Sequence, residues 1–330
     1  MYIVSPPQHG YLVPDQEGHV TYNHYLGSGS EDRFSFSVAD YNGYYSAPQW
    51  IEVSIGGEPT LVTAPRTESP ANTIPDDNYV SNVETNSGWW QPLASDQLRW
   101  QLQLQGDIRL LDGVDVYAAD SSASKASVDA AKNSGARVMC YISAGSAENW
   151  RVDYYDFPAE AIGNAYANWE GEWWLDTSNI EAIAPVMRAR LDACQSKGFD
   201  AIDADNVNGF ENNTGFNLSR QDSVNYIRWL SNEAHARGMA FSLKNTESLI
   251  GDVVDSVDML QSESCYVYGN CVAASAMIER NKPVFAVEYQ ENISQSEFFD
   301  GVCPQAGALG LSMIYRDLQL LPSGVYRTCN

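Results

Sequence analysis

Residues 198–210 read GFDAIDADNVNGF. A glycine and an apolar run of Phe199, Ala201, Ile202 and Ala204 bring the chain to Asp203, Asp205, Asn206 and Asn208. We read residues 199–204 as a short buried strand. Side chains alternate between the faces of a strand, so Asp203 and Asp205 share one face while Ile202 and Ala204 take the other. A solvated loop has no need of such a run, although a lone pair of acids is more often a turn or a cap. Here the pattern recurs in VDVYAAD (114–120), RVMCYISAG (137–145), EWWLD (172–176), MAFSLKN (239–245), DMLQSESC (258–265), PVFAVEY (283–289) and LGLSMIYRD (309–317). Amphipathic helices are expected between them. Residues 178–196 place Ile180, Ile183, Met187 and Leu191 on one face and stop at Gly198, while Ser219 and Asp222 form a capping box ahead of Val224, Ile227 and Leu230. Strands alternating with helices in this way predict a (β/α)8 TIM barrel, whose active site lies at the carboxyl ends of the strands. A doubly wound sheet would call for a glycine-rich phosphate turn, and the sequence has none.

The N-terminal residues follow another rule. YLVP, HVTYN, DRFSFSVAD and SAPQWIEVSI are separated by turn signals at Gln16-Glu17-Gly18 and Tyr41-Asn42-Gly43. Phe34, Phe36 and Val38 alternate with polar residues, as do Ile51, Val53 and Ile55. Residues 1–56 are therefore expected to be a small all-β module, a partial sandwich. Through PPQHGYL, GHVTYN, EDRFSFSVADYNG and IEVSI it resembles the cadherin-like or immunoglobulin-like repeats of bacterial surface proteins. Residues 57–84 carry Pro59, Pro65, Pro70 and Pro75 among polar residues and read as an extended linker. Residues 85–330 then form the barrel domain.

Over 330 residues the formal charge is −24. Such a balance argues against nucleic acid or an anionic membrane as partner, and suits a cationic ligand or a solvated acidic surface. No apolar run is long enough to span a membrane. The opening MYIVSPPQHGYLVP has neither the basic nor the apolar region of a signal peptide. Six cysteines in an acidic chain point instead to disulfides in an oxidising compartment. A secreted protein whose residue 1 lies inside a longer precursor reconciles the two readings. Cys265 with Cys271 and Cys303 with Cys329 are the expected pairs, with Cys140 and Cys194 as buried thiols. A monomer is expected.

Three of the four histidines, His9, His19 and His24, fall in the β module. His235 lies in a predicted helix, which removes Ser–His–Asp and Cys–His catalysis and the common zinc sites. No metal or cofactor is expected. What remains at the strand ends is carboxylate, amide, ring and a few cations: Asp120, Tyr141, Asp176, Asp203, Asp205, Asn206, Lys244, Asn245, Glu263, Glu288, Tyr289, Tyr315 and Arg316. Paired carboxylates beside aromatic rings are what glycoside hydrolysis requires, one acid protonating the leaving oxygen while the other attacks or activates water. The same acids could hold a divalent cation for phosphoryl chemistry, but the cationic cluster that would receive phosphate is missing.

Residues 88–318 resemble glycoside hydrolase family 114, the endo-α-1,4-polygalactosaminidases. The resemblance rests on WQP, VMCYISAGSAENWRVDYYDFP, GEWWLD, MRARLDACQSKGFDAIDADNVNGF, NTGFNLS, HARGMAFSLKN, SESC and VFAVEY. It implies a barrel that cleaves α-1,4-linked galactosamine polymers internally. It assigns Asp205 as nucleophile and Glu263, ahead of the Cys265-x5-Cys271 pair, as acid/base. Three departures stand out: Asp203-Ala204 where the family has Glu-Pro, Asn208 in place of an aspartate, and Leu102 in place of a tryptophan. The catalytic pair is intact, and the departures bear on substrate contacts. Expected substrate-binding residues are Trp90, Asp120, Tyr141, Asp203, Asn206, Lys244, Glu288 and Tyr289. Asn206 and Lys244 are placed to favour the charged Asp205, whose charge, with partial burial, is expected to raise the pKa of Glu263. Alternatives are a hydrolase of another α-linked polysaccharide and a non-catalytic carbohydrate-binding barrel.

Overall fold

The computed structural model describes residues 2–5, 10–14, 20–24, 31–37, 49–54, 88–167 and 169–329. The chain divides into two compact units, Met1–Thr85 with Trp150–Tyr155 and Asn86–Asn149 with Asp156–Asn330. In the first, Glu31–Ser37 pairs antiparallel with both Tyr2–Ser5 and Gln49–Ser54, and Gly10–Pro14 forms a ladder with Val20–His24. Phe34 lies opposite Ile51 and is buried. The two turn signals and the proline-rich stretch fall outside the described residues.

In the second unit eight parallel strands follow one another around a barrel: β1 (Trp100–Gln103), β2 (Val116–Asp120), β3 (Arg137–Ser143), β4 (Ala201–Asp205), β5 (Ala240–Lys244), β6 (Met259–Glu263), β7 (Val284–Tyr289) and β8 (Ser312–Arg316). A ninth strand, β9 (Tyr326–Thr328), lies antiparallel on β8. The seam between β8 and β1 is bridged by side chains. Trp100 Nε1 donates to Ser312 O (2.8 Å), Ser312 Oγ to Leu98 O (2.9 Å), and the buried Arg316 guanidinium to Leu102 O and Gln101 Oε1. These donors satisfy edge carbonyls that would otherwise be buried without a partner.

Alternation sets the interior. Trp100, Leu102, Val116, Ala118, Met139, Ala201, Ala240, Met259, Phe285, Val287 and Ile314 pack into one buried cluster. Continuing by two along β4, β5 and β6 brings Asp203, Ser242 and Gln261, all fully buried, and then the charged ends of the strands. Helix α1 (Lys125–Asn133) follows β2, α2 (Ile180–Lys197) precedes β4, and α3 (Arg220–Ala236) precedes β5. Ile183, Met187 and Leu191 of α2 are buried, and the helix stops at Gly198 with φ 89°. Ser219 and Asp222 cap α3 reciprocally.

Two expectations are corrected. EWWLD is not a barrel strand: Glu172–Leu175 is the centre of a three-stranded antiparallel sheet, between Ser146–Glu148 and Ile162–Ala165. Its place in the barrel is taken by β1, WQLQ, whose glutamines disguise a buried strand. Gln101 accepts from Leu102 N (2.8 Å), and Gln103 exchanges hydrogen bonds with the backbone of Arg109 (2.9 Å each). Cysteine pairing is the second correction. Beside the expected Cys265–Cys271 and Cys303–Cys329, Cys140 is joined to Cys194 and is no free thiol. Met139 and Tyr141 face into the barrel, so Cys140 faces out onto α2, where Cys194 continues the buried row of Met187 and Leu191.

Candidate active site

Three neighbouring strands end alike. β4 ends in Asp205 followed by Asn206 (φ 64°), β5 in Lys244 followed by Asn245 (φ 54°), and β6 in Glu263 followed by Ser264 (φ 56°). Each following residue adopts the left-handed conformation, which asparagine tolerates better than most side chains. The chain thus turns away sharply and leaves the charged side chain at the barrel mouth.

Lys244 is buried between the two acids, with Nζ 2.8 Å from Asp205 Oδ2 and 2.5 Å from Glu263 Oε2. Asp205 Oδ2 also accepts from Tyr141 Oη (3.0 Å), and its Oδ1 accepts from Asn206 N (2.8 Å). Glu263 accepts at Oε2 from Asn245 Nδ2 (3.0 Å) and at Oε1 from the Tyr289 hydroxyl. Its own amide donates to Asn245 Oδ1 (2.9 Å). Burial works to lower the pKa of Lys244, but Asp205 and Glu263 outweigh it and hold the ammonium well above its ordinary value. Burial likewise works to raise that of Glu263, yet Lys244, Tyr289 and Asn245 keep it below the usual carboxylate range. The expectation of a raised Glu263 is therefore corrected: it counted the charge of Asp205 and not the ammonium between the two acids. Burial, with Asp205 and Glu263 respectively, pushes the phenols of Tyr141 and Tyr289 well up, so both act as neutral donors.

Asn206 is fixed from behind. Its Nδ2 donates to Ser143 Oγ (2.9 Å), Ser146 Oγ (3.2 Å) and Glu172 Oε1 (3.0 Å), and Ser146 bonds in turn to Ser143 and Glu172. Gly145 makes this possible, because a Cβ there would lie 1.8 Å from Asn206 O. The amides of Ala144 and Gly145 both donate to Asp205 O (2.9 and 3.1 Å). The CYISAG segment is thus a backbone cradle for the turn that carries Asp205.

The remaining candidates separate. Asp203 points inward below Asp205, fully buried, and burial pushes it up to about 7 against the opposing effect of Lys244. Neither of its oxygens meets a donor at ordinary hydrogen-bond geometry among the described residues. Asp120 ends β2 beside Tyr141, and its Oδ1 accepts from Ser122 N (2.8 Å). Glu288 does not join the mouth. Tyr289 faces in, so Glu288 faces out, where its Oε1 accepts from Tyr266 N (2.8 Å) behind the turn that follows Glu263. Burial pushes it up to about 7. Trp90 lies at the opposite end, under the guanidinium of Arg137 (5.9 Å), the first residue of β3. His235 stacks on Trp89 (ring centroids 4.0 Å apart) and bonds Asp258.

A family model for glycoside-hydrolase family GH114 matches residues 80–330. The chain belongs to this family. It is a glycoside hydrolase. Among solved structures it is similar to Aspergillus fumigatus Ega3 in complex with galactosamine, at 31% identity and a TM-score of 0.68, covering 72% of this chain and 97% of that one. The glycoside hydrolase domain of PelA from Pseudomonas aeruginosa shares the fold, at 13% identity and a TM-score of 0.51, covering 68% of this chain and 97% of that one. No curated protein matches the chain.

Sequence reasoning missed Glu172, Ser143 and Ser146, and it placed Asn245 at a strand end without giving it a role. Asn245 carried the same signal as Asn206, an asparagine directly after a charged strand end. Glu172 was hidden by its own strand, since EWWL reads as apolar core when its partner strands are unknown.

Proposed function

We propose that this GH114 enzyme is secreted and cleaves α-1,4-linked galactosamine polymers internally, with retention of configuration. The observation that carries the reading is the pair Asp205 and Glu263 held on one ammonium. Asp205 Oδ2 and Glu263 Oε2 can be no further apart than the two Lys244 contacts laid end to end, 2.8 and 2.5 Å or about 5.3 Å. Retaining glycosidases place their carboxyl groups about 5–5.5 Å apart, whereas inverting ones leave about 6.5–9.5 Å for a water. Similarity to a galactosamine-bound relative and a formal charge of −24 support a cationic polymer as substrate. Three disulfides suit an oxidising, extracellular setting.

In this reading Asp205, which accepts three hydrogen bonds, attacks the anomeric carbon while Glu263 protonates the departing glycosidic oxygen. Glu263 must first gain a proton. A sugar entering between the acids displaces Lys244 from Glu263, and burial and the Asp205 charge then raise the carboxyl. Water enters the second step, with Glu263 taking its proton and Asp205 leaving. Tyr141 and Asn206 hold Asp205 through both steps, and Tyr289 and Asn245 hold Glu263.

The test is release of reducing ends from deacetylated galactosaminogalactan. The wild-type chain is expected to release internal fragments, and Asp205→Asn and Glu263→Gln to lose activity by at least ~1000-fold while still binding polymer. Activity on another α-linked polysaccharide alone, or substantial turnover by either variant, would overturn the reading.

A further inference from the structure

A cavity of about 690 Å³ opens beside the catalytic mouth, between the edge strand Ile162–Ala165 and the loop that follows Asp205 and Asn206. Three amide side chains, Asn164, Asn212 and Asn213, and three rings, Tyr166, Trp169 and Trp174, line it with two alanines. Its floor is a close backbone contact in which Asn164 N donates to Thr214 O (2.8 Å). Gly163 permits that approach, because a Cβ there would lie 2.1 Å from Thr214 O. Asn164 Nδ2 then reaches Asn213 at its backbone oxygen (3.1 Å) and its side-chain oxygen (3.2 Å). On the other side Tyr166 packs against Trp174 (ring centroids 4.4 Å apart), and a turn through Trp169 N to Tyr166 O (3.2 Å) brings Trp169 to the rim. Trp169 is 54% exposed, an apolar surface spent on no neighbour.

The cavity shares its walls with the active site. Trp174 lies two residues along the strand from Glu172, which accepts from Asn206 Nδ2, and Asn212 and Asn213 extend the loop that begins at Asn206. Burial pushes the Tyr166 phenol up to about 12, and the charges of Asp205, Glu172 and Glu263 reach it too. Among the described residues the lining therefore carries no charge at neutral pH, although the mouth beside it holds Asp205 and Glu263. An ammonium entering such a cavity would lose water and find no carboxylate among the lining side chains to pair with directly. A neutral acetamido group meets what is there: its methyl and the sugar C–H face lie on rings, and its N–H and C=O pair with amides.

We propose that this cavity is a subsite for an N-acetylated hexosamine unit of the polymer, with Trp169 as its platform. The enzyme would then read a mixed chain, with a free amine at the acidic mouth and an acetamido group in the neutral cavity. The proposal rests on the galactosamine-polymer reading for its choice of sugar.

The test titrates defined α-1,4-galactosamine oligomers, fully deacetylated or carrying one N-acetyl group, into the full-length chain made inactive by Asp205→Asn, with and without Trp169→Ala. Calorimetry in ~0.5 M salt, where charge attraction is screened, is expected to show about tenfold tighter binding of the mono-acetylated oligomer. Trp169→Ala should remove that preference and leave the deacetylated oligomer unchanged. In the active background it should raise KM for the mixed oligomer and spare kcat. Equal binding of the two oligomers, absence of binding by the acetylated one, or an equal loss for both in Trp169→Ala would overturn the subsite. Trp169-dependent binding without cleavage of either oligomer would keep the subsite and overturn the catalytic reading. Cleavage without such discrimination would do the reverse.

Discussion

Asp203 is the most informative side chain to neutralise, because burial raises its pKa there while the Lys244 ammonium and the Ser242 hydroxyl work to lower it. It is fully buried, and burial raises its pKa from 3.8 to about 7. A carboxyl raised on folding binds more protons in the folded chain than in the unfolded chain between those values. Stability therefore falls as pH rises through that window. From pH 5 to pH 8 the unfolded carboxyl is ionised throughout, whereas the folded one loses its proton only near the top. Each pH unit in which only the folded group holds its proton costs about 1.4 kcal/mol, so the wild-type chain should lose ~3 kcal/mol at this residue. Asp203→Asn keeps the shape and removes the titration. Glu288, pushed up to about 7 by burial, acts with the same sign in both chains and cancels. The assay is thermal unfolding at pH 5 and pH 8 with disulfides intact. The Tm of Asp203→Asn relative to wild type should rise by ~6–12 °C between the two, at about 2–4 °C per kcal/mol. A Tm difference independent of pH would refute the reasoning, and a shift of opposite sign would mean that Asp203 is charged and paired.

Removing Lys244 should separate its two effects: Lys244→Met is expected to lower kcat by at least ~100-fold. With the ammonium gone Glu263 rises, so the alkaline limb of the residual pH–rate profile, where Glu263 loses its proton, should move up, and an unmoved limb would remove Lys244 from control of the acid. Replacing Cys140 and Cys194 by serine should cost ~2–5 kcal/mol in denaturant unfolding. The cost should exceed that of opening Cys265–Cys271, since the bridged residues are 54 apart rather than 6; the opposite order would contradict a loop-entropy origin. On a partly deacetylated polymer kcat/KM should fall as salt rises from 0.05 to ~0.5 M while kcat changes little, and salt independence would leave the −24 charge with no part in capture.

Much of the barrel was legible because parallel strands buried on both faces are rich in apolar residues, and seven of the eight were read from such stretches. β1 was not, because Gln101 and Gln103 are satisfied by partners that no local pattern reveals, Arg316 from the far end of the domain and the Arg109 backbone. EWWL was misplaced for the converse reason, being apolar and strand-like but paired outside the barrel. At the site, alternation put Asp203 and Asp205 on one face, and position at a strand end brought Lys244, Glu263 and Tyr289 to the same mouth. Alternation applied to PVFAVEY would also have turned Glu288 outward, since it differs in parity from Tyr289. The protonation of Glu263 was out of reach, because it depends on an ammonium 2.5 Å away. Trp90 entered through a short motif that says nothing about which end of the barrel it covers.

The most direct measurement of the central claim is the configuration of the first product. Proton NMR of a freshly mixed α-1,4-galactosamine oligomer and wild-type enzyme resolves the new reducing end before it mutarotates. With Asp205 attacking and Glu263 as acid and base, its Oε2 no more than about 5.3 Å from Asp205 Oδ2, the α-anomer should appear first and the β-anomer only as mutarotation proceeds. First appearance of the β-anomer would contradict it, because inversion leaves Asp205 no place as the nucleophile.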